Sequence, residues 1–466
     1  MRQSINYLLV LVVFGLFLNC NQKVSGNKGS MKVGVSRIDI TPPIGYPVHK
    51  VISTGVLDPL EVKTIVLTQG KTNAALISAD LFYIPSNLST LVRKLASEKT
   101  GIPISNICLT ATHTHADPTC FNDVDVYISK MDEGKLTEQD EQGYAGQLIN
   151  NLVQSVIEAQ TNLTQVSIKA GVIPVDGLFF NRRHLMKDGN VKMNGGFLNP
   201  DVIRTVGPVD PGVGFILFND EENGDPYTSL TTFAMQLATI GNTDKFSSGV
   251  PHFLEQKLQS DLGESFVSVF GEGTCADVNH WDITKPGPQS GYEQATKPIG
   301  EKIATSILDR ISELDENNGT LAVSNKIIQV PLQTYSNMDL EWAKSYDETG
   351  ASAIVKARIR KILSLEELRA KYGDTLSMEV QVFKLNEETA IVALPGQIFV
   401  ELGLALKENS PFKNTLILTL ANSHEECIPI RKAYAEGSYE IVYSLVESGS
   451  GEMLVETALS LLNEIK

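Results

Sequence analysis

Basic residues are scarce in this chain: 39 Lys and Arg stand against 55 Asp and Glu, a formal net charge of −16 over 466 residues. Nucleic-acid binding needs clustered Lys and Arg along the phosphates, so that class is excluded. Anionic membrane surfaces are no electrostatic target either. Long apolar runs are also missing. The longest, residues 8–18 (LLVLVVFGLFL), rises only about 16 Å as a helix, roughly half of a hydrocarbon core. No later segment approaches the ~18 uninterrupted apolar residues of a membrane span. Internal repeats, low-complexity tracts and heptads are absent, which argues against solenoids and coiled coils. What is present, 42% hydrophobic and 20% charged residues, is a globular composition.

The short apolar run has a use of its own. Arg2 precedes it, Cys20 follows it at once, and residues 21–30 (NQKVSGNKGS) are polar. A positive start and an h-region too short to span read as an export signal. A Cys directly behind it, with a polar tether, has the form of a bacterial lipoprotein signal in which the thiol takes a diacylglyceryl group. The expectation is a signal over 1–20, a flexible tether over 21–30 and one folded part over 31–466. The mature protein is then a membrane-anchored lipoprotein working outside the cytoplasm, on the periplasmic or cell-surface side. The alternative is a secretory signal cut elsewhere, with Cys20 lost.

From residue 31 onward, strand-like and helix-like periods alternate. Period-two alternation over 32–40 and short apolar stretches over 62–68, 74–79, 107–111 and 166–173 predict strands, and 378–385 with 390–394 predicts a hairpin. Helical spacing over 86–100, before Gly101 as C-cap, and over 144–161 predicts helices. Residues 354–368 read as an amphipathic helix with a wet face, and 285–291 (KPGPQSG) as a loop. The pattern predicts one large mixed α/β domain.

Two segments carry chemistry. The first is TATHTHADP over 110–118, where His113 and His115 alternate off the end of an apolar strand. If the strand continues, both imidazoles point to one side at its carboxyl end, where ligand sites gather in α/β sheets, and neutral imidazole is a common zinc ligand. Two surface histidines on a loop are the plain alternative. The second is GEGTCADVNH over 271–280, a Gly-rich turn dense in polar groups that is equally readable as an ordinary turn.

With VGVSRIDITP at 33–42, SAD at 78–80, ATHTH at 111–115, NRR at 181–183, VDP at 209–211, LPG at 394–396 and YAEGSYE at 434–440, the chain resembles the neutral ceramidase family. The likeness is to short bacterial forms that carry only its N-terminal domain. It implies a fold of the neutral ceramidase N-terminal type, a mixed α/β domain. It also implies a zinc amidohydrolase that cleaves the N-acyl amide of ceramide-like sphingolipids.

The family's zinc ligands are two His, a Glu and a Tyr, and their positions here are altered. His113 matches the first ligand, and His115 matches a residue taken to stabilise the oxyanion. The second His position reads Gln236, in FAMQ at 233–236. The Glu position reads Gln397, in LPGQ at 394–397, and the Tyr position reads Cys427. An acid expected near 249 is Gly249, and Asn279 stands where ceramidases proper place a Ser proposed as nucleophile. A neutral carboxamide is a poor zinc ligand. A rebuilt site would need thiolates from Cys427 and from Cys120 or Cys275. Buried thiols, or two disulfides among Cys108, Cys120, Cys275 and Cys427, are the alternative.

The two readings differ in class. In a metal-dependent hydrolase, His113 holds zinc, His115 stabilises the oxyanion, His280 moves protons and Asp277 orients the loop. In a catalytically degenerate accessory lipoprotein, the zinc site is lost and a lipid-like or small polar ligand is bound. Arg182 and Arg183 are candidates to clamp a polar substrate group, or to pair internally with Asp210. His424, His252, His49 and His184 read as lesser candidates, with His424 expected in a surface acidic turn.

Overall fold

The structure, a computed structural model, describes residues 29–48, 51–424 and 426–466. The leader, Cys20, most of the tether, His49 and Glu425 lie outside the described residues. The chain builds a nine-stranded mixed sheet. Its strands run in the order Val267–Glu272, Pro226–Phe233, Gly212–Asp220, Thr164–Pro174, Lys32–Asp39, Glu61–Gln69, Thr72–Ala79 and Ile107–Ala111, and Glu316–Asn318 also pairs with Thr164–Pro174. A second, four-stranded sheet has the order Ala322–Pro331, Thr375–Lys384, Thr389–Ala393 and Asn414–Leu418. The mixed α/β class expected from the alternation is the class observed.

The two sheets pack face to face through Leu76, Cys108, Ile216, Leu230 and Val269 on one side and Phe383, Ile391, Leu416 and Leu418 on the other. Helices Ser86–Thr100 and Tyr144–Thr161 cover part of the large sheet's outer face, and Val250–Leu262 and Lys297–Leu308 cover the rest. Helix Ser450–Ile465 covers the small sheet. Strands covered on both faces need apolar residues on both, so Ile107–Ala111 and Thr389–Ala393 are buried at every position. The sheets approach so closely at Gly271 that a Cβ there would lie 2.1 Å from Leu418 Cδ2.

Element ends agree with the sequence pattern to within a few residues. Helix Ser86–Thr100 stops at Gly101, whose φ of 72° is the left-handed C-cap that glycine supplies cheaply. The expected helix over 354–368 runs Ala353–Tyr372. One expectation fails. The strand before the histidines ends at Ala111 and does not continue through His115, because His113 turns the backbone with a φ of 62°.

The large sheet contains two parallel pairs, Thr72–Ala79 with Ile107–Ala111 and Pro226–Phe233 with Val267–Glu272; the small sheet contains one, Thr389–Ala393 with Asn414–Leu418. Their carboxyl ends meet. Thr419 N–H donates to Glu272 O at 2.7 Å, Gly273 N–H to Phe233 O at 2.9 Å, Leu420 N–H to Gly396 O at 3.0 Å, and Thr110 Oγ1 to Thr419 O at 2.7 Å. No described helix is long and apolar enough to cross a membrane.

Candidate functional site

The turns leaving these strand ends bring scattered residues together. His113 leaves Ile107–Ala111, Gln236 leaves Pro226–Phe233, Gln397 leaves Thr389–Ala393, and Cys427 follows Asn414–Leu418. Gln397 and Cys427 face each other across a short parallel bridge. Asp80 and Asp117 fasten the histidine turn. Asp80 accepts from Thr112 Oγ1 at 3.0 Å and from Glu61 N–H at 2.8 Å, and Asp117 accepts from Phe82 N–H at 3.0 Å. Burial pushes both carboxyls up to about 7.

His113 is completely buried, with its Nδ1 2.7 Å from Phe82 O. A carbonyl only accepts, so Nδ1 carries the proton and Nε2 keeps its lone pair. Nε2 is buried, and the Gln236 side chain is its polar neighbour. Burial pushes the imidazole down to about 4; the Phe82 carbonyl opposes this, and nearby His424 and Arg182 add to it. The His113 and His115 rings are 5.2 Å apart, edge to face, with Phe82 stacked on His113 at 4.4 Å. The pair therefore does converge, through a tight turn rather than the expected strand alternation. His115 is half-buried.

Gln236 lies beside His113 as a hydrogen-bonding neighbour, and its Nε2–H also donates to Gln397 Oε1 at 2.8 Å. One bond therefore ties Gln236 to Gln397. Burial pushes the thiols of Cys275 and Cys427 well up, so both are protonated and poor metal ligands. All four described cysteines are free and buried, so no pair among Cys108, Cys120, Cys275 and Cys427 is bridged. Among the described residues no group of three or more His, Cys, Asp or Glu is placed to hold a metal ion. The residues present therefore do not fit zinc, because one neutral imidazole, two mutually bonded carboxamides and a protonated thiol lack the anionic donors that hold it.

The arginines have a partner that sequence reasoning missed. Arg182 Nε–H donates to Glu440 Oε1 at 2.9 Å and Arg183 Nη1–H to Glu440 Oε2 at 2.7 Å. Arg183 also bonds Gly437 O and Glu436, is 1% exposed and lies fully within an internal network. A substrate clamp does not suit it. Asp210, the partner considered from sequence, instead holds Lys407 at 2.6 Å. Arg182 differs, since its buried Nη2 has no hydrogen-bond partner and its guanidinium lies 5.3 Å from the Tyr439 ring centroid. Glu440 stands inside the YAEGSYE segment, which was the signal that could have found it.

In the Gly-rich turn, Asp277 is wholly buried and joins elements: Oδ2 accepts from Asn181 Nδ2 at 2.7 Å and Oδ1 from Val400 N–H at 2.9 Å. Burial pushes it up to about 7. Asn279 Nδ2 donates to Asn194 Oδ1 at 2.9 Å while its own Oδ1 accepts from Trp281 N–H at 3.0 Å. Its amide is thereby spent on loop geometry. His280 belongs to another neighbourhood, with Nε2 3.4 Å from Ser290 Oγ, and lines a cavity of about 220 Å³ with Leu178, Phe180 and Gln289. Burial pushes it down to about 4.

His424 has its expected acidic neighbour, with Nε2 3.6 Å from Glu426, but the ring is stacked on Tyr83 at 4.2 Å and its Nδ1 is buried. The Tyr83 ring shields it from water. Glu272 is fully buried, and burial pushes its carboxyl well above the usual carboxylate range, opposed by the Cys275 thiol and the Met235 and Gly273 backbone. His252 is half-buried near the start of helix Val250–Leu262, preceded by Gly249 with a φ of 78°.

Solved structures with this arrangement of strands exist. A neutral ceramidase from Pseudomonas aeruginosa superposes with a TM-score of 0.68 over 93% of this chain and 75% of that one, at 16% identity. The fold is that of neutral ceramidase. A structure described as ceramidase complexed with C2 gives the same TM-score at 15% identity, covering 93% of this chain and 76% of that one. In sequence the chain is similar to neutral ceramidase B of Dictyostelium discoideum, 22% identical over 278 residues. That match covers 56% of this chain and 36% of the relative, so the alignment spans little over a third of the relative's length. No protein-family model matches the chain. The ceramidase fold thus surrounds a centre whose polar groups pair in their own way.

Proposed function

We propose that this protein is a ceramidase-fold lipoprotein that binds an N-acyl amide or a related lipid-like or small polar ligand without zinc-driven hydrolysis. The observation that carries the reading is the 2.8 Å bond between Gln236 and Gln397, which joins to each other the two side chains that the family would aim at a metal. Beside that pair lie the buried His113 Nε2, an acceptor that Gln236 neighbours, and the buried Arg182 Nη2, a donor. An amide, which has both a C=O and an N–H, complements that combination. Cys20 supplies the lipid anchor in this reading, and the protein works outside the cytoplasm.

A second reading, a metal-dependent amide hydrolase, draws on one feature. The His113 ring is oriented by a backbone carbonyl on Nδ1 and offers a buried lone pair on Nε2, the way ligating imidazoles are held. One experiment separates the two: metal content by mass spectrometry on the full chain after exposure to zinc, with His113→Ala as control. Binding without zinc-driven hydrolysis predicts less than a tenth of an equivalent of zinc in both proteins. About one equivalent in the wild type, lost in His113→Ala, overturns it in favour of the hydrolase. Palmitate incorporation that disappears in Cys20→Ala tests the anchor.

A further inference from the structure

Away from the centre just described, helix Ala353–Tyr372 and the segment 437–442 enclose a cavity of about 250 Å³. Lys361 reaches into it. Its ammonium donates to Gln333 Oε1 at 2.6 Å and to Ile441 O at 2.9 Å, both neutral acceptors. An ammonium has three N–H groups, so one is left over. Burial, and after it the neighbouring Arg358, push Lys361 down to about 8. The cations and acids around the cavity do not cancel. Arg358 is already paired with Asp339 at 2.9 Å, and the nearby Glu366 is engaged by Tyr335 and Lys344. Lys361 therefore stands as a half-buried cation with no carboxylate partner among the described residues, an arrangement that costs desolvation energy unless an anion completes it.

We propose that this cavity is a binding site for a short-chain monocarboxylate, with the carboxylate on Lys361 and the alkyl chain against Ile362, Leu365, Ile441 and Val442. One unmatched positive charge calls for one negative charge, and a phosphate dianion would leave a buried surplus. The branched walls reward an apolar body at about 25 cal/mol per Å² covered. A volume below the ~300–1,000 Å³ of ordinary small-molecule sites limits the ligand to a short chain.

The site stands independently of how His113 and its neighbours are read. It is nevertheless joined to them. Gly437 lines the cavity while its carbonyl accepts from Arg183, and Glu440, on the same short helix as Ile441, holds both arginines.

The test is calorimetric titration of the full chain with hexanoate, hexan-1-ol and inorganic phosphate. Hexanoate is expected to bind at least tenfold more tightly than either of the others. Lys361→Met is expected to weaken hexanoate at least tenfold, while Lys361→Arg, which keeps the charge, retains binding within a few-fold. Hexan-1-ol binding as well as hexanoate, phosphate binding better, no hexanoate heat at all, or unchanged binding in Lys361→Met would each overturn the proposal. The ligand comparison on the wild type needs no variant to fold.

Discussion

Two buried polar corners lie within reach of one another and are solved differently. In the arginine corner, Glu440 at 0% exposure carries both Arg182 and Arg183, and Glu436 adds a second acid for Arg183. Charge meets charge, and only Arg182 Nη2 is left over. In the histidine corner there is no formal charge to balance: one carboxamide donates to another, and a neutral imidazole lies beside them. The first arrangement holds buried charges in place, and the second links two side chains through a single neutral bond.

The sharpest way to break the comparison is to remove the shared acid. Glu440→Gln leaves two buried guanidiniums without their common counter-charge and is expected to cost about 3–5 kcal/mol of stability by urea denaturation. A loss below about 1 kcal/mol would place the arginine corner among weak, solvent-screened pairs.

Next in size is a pH effect from the Gly-rich turn. His280 is held near 4 when folded, against about 6.5 in an unfolded chain. Between those values the unfolded state binds the extra proton. The stability that His280 contributes is therefore full above about pH 6.5 and lost as pH falls towards 4, by roughly 3 kcal/mol. His280→Gln should flatten that part of the stability–pH curve relative to wild type. The difference curve isolates His280 from Asp80, Asp117 and Asp277, whose raised values act with the opposite sign over about pH 4–7. Parallel curves for the two proteins would mean that His280 stays hydrated.

The smallest expected effect comes from the carboxamide pair itself. Gln236→Ala deletes one hydrogen bond and strands Gln397 Oε1, a loss of about 1–3 kcal/mol. Thermal unfolding checks it, and an unchanged midpoint would mean that the pair does not persist in solution.

Much of this fold was legible. Short apolar runs marked the strands, most of them buried on both faces, and Gly101 marked the end of a helix. The resemblance to neutral ceramidases singled out residues 113, 236, 397 and 427; Gln236 neighbours His113 and bonds Gln397, which pairs with Cys427 across a short parallel bridge. The histidine pair was legible for an incomplete reason. Alternation along a strand predicted one shared side, whereas the backbone turns at His113 and Phe82 packs against both rings. His424 looked like part of an acidic surface turn because nothing local announces Tyr83, which lies more than 300 residues earlier.

The division between sequence and structure follows the range of the forces. Short-range chemistry, written in neighbouring residues, determined the strands, the helix caps and the kinds of side chain available at the centre: one His, two Gln and a Cys. Which of them would bond to which is a long-range matter. Gln236 and Gln397 are 161 residues apart, and Arg182 and Glu440 are 258 apart. Only the closing of two sheets, with their parallel strand ends brought together, decided that one carboxamide would donate to the other and that Glu440 would hold both arginines. The physical reason is that a buried polar group takes whichever partner the packed core brings within about 3 Å, and sequence spacing does not encode that distance.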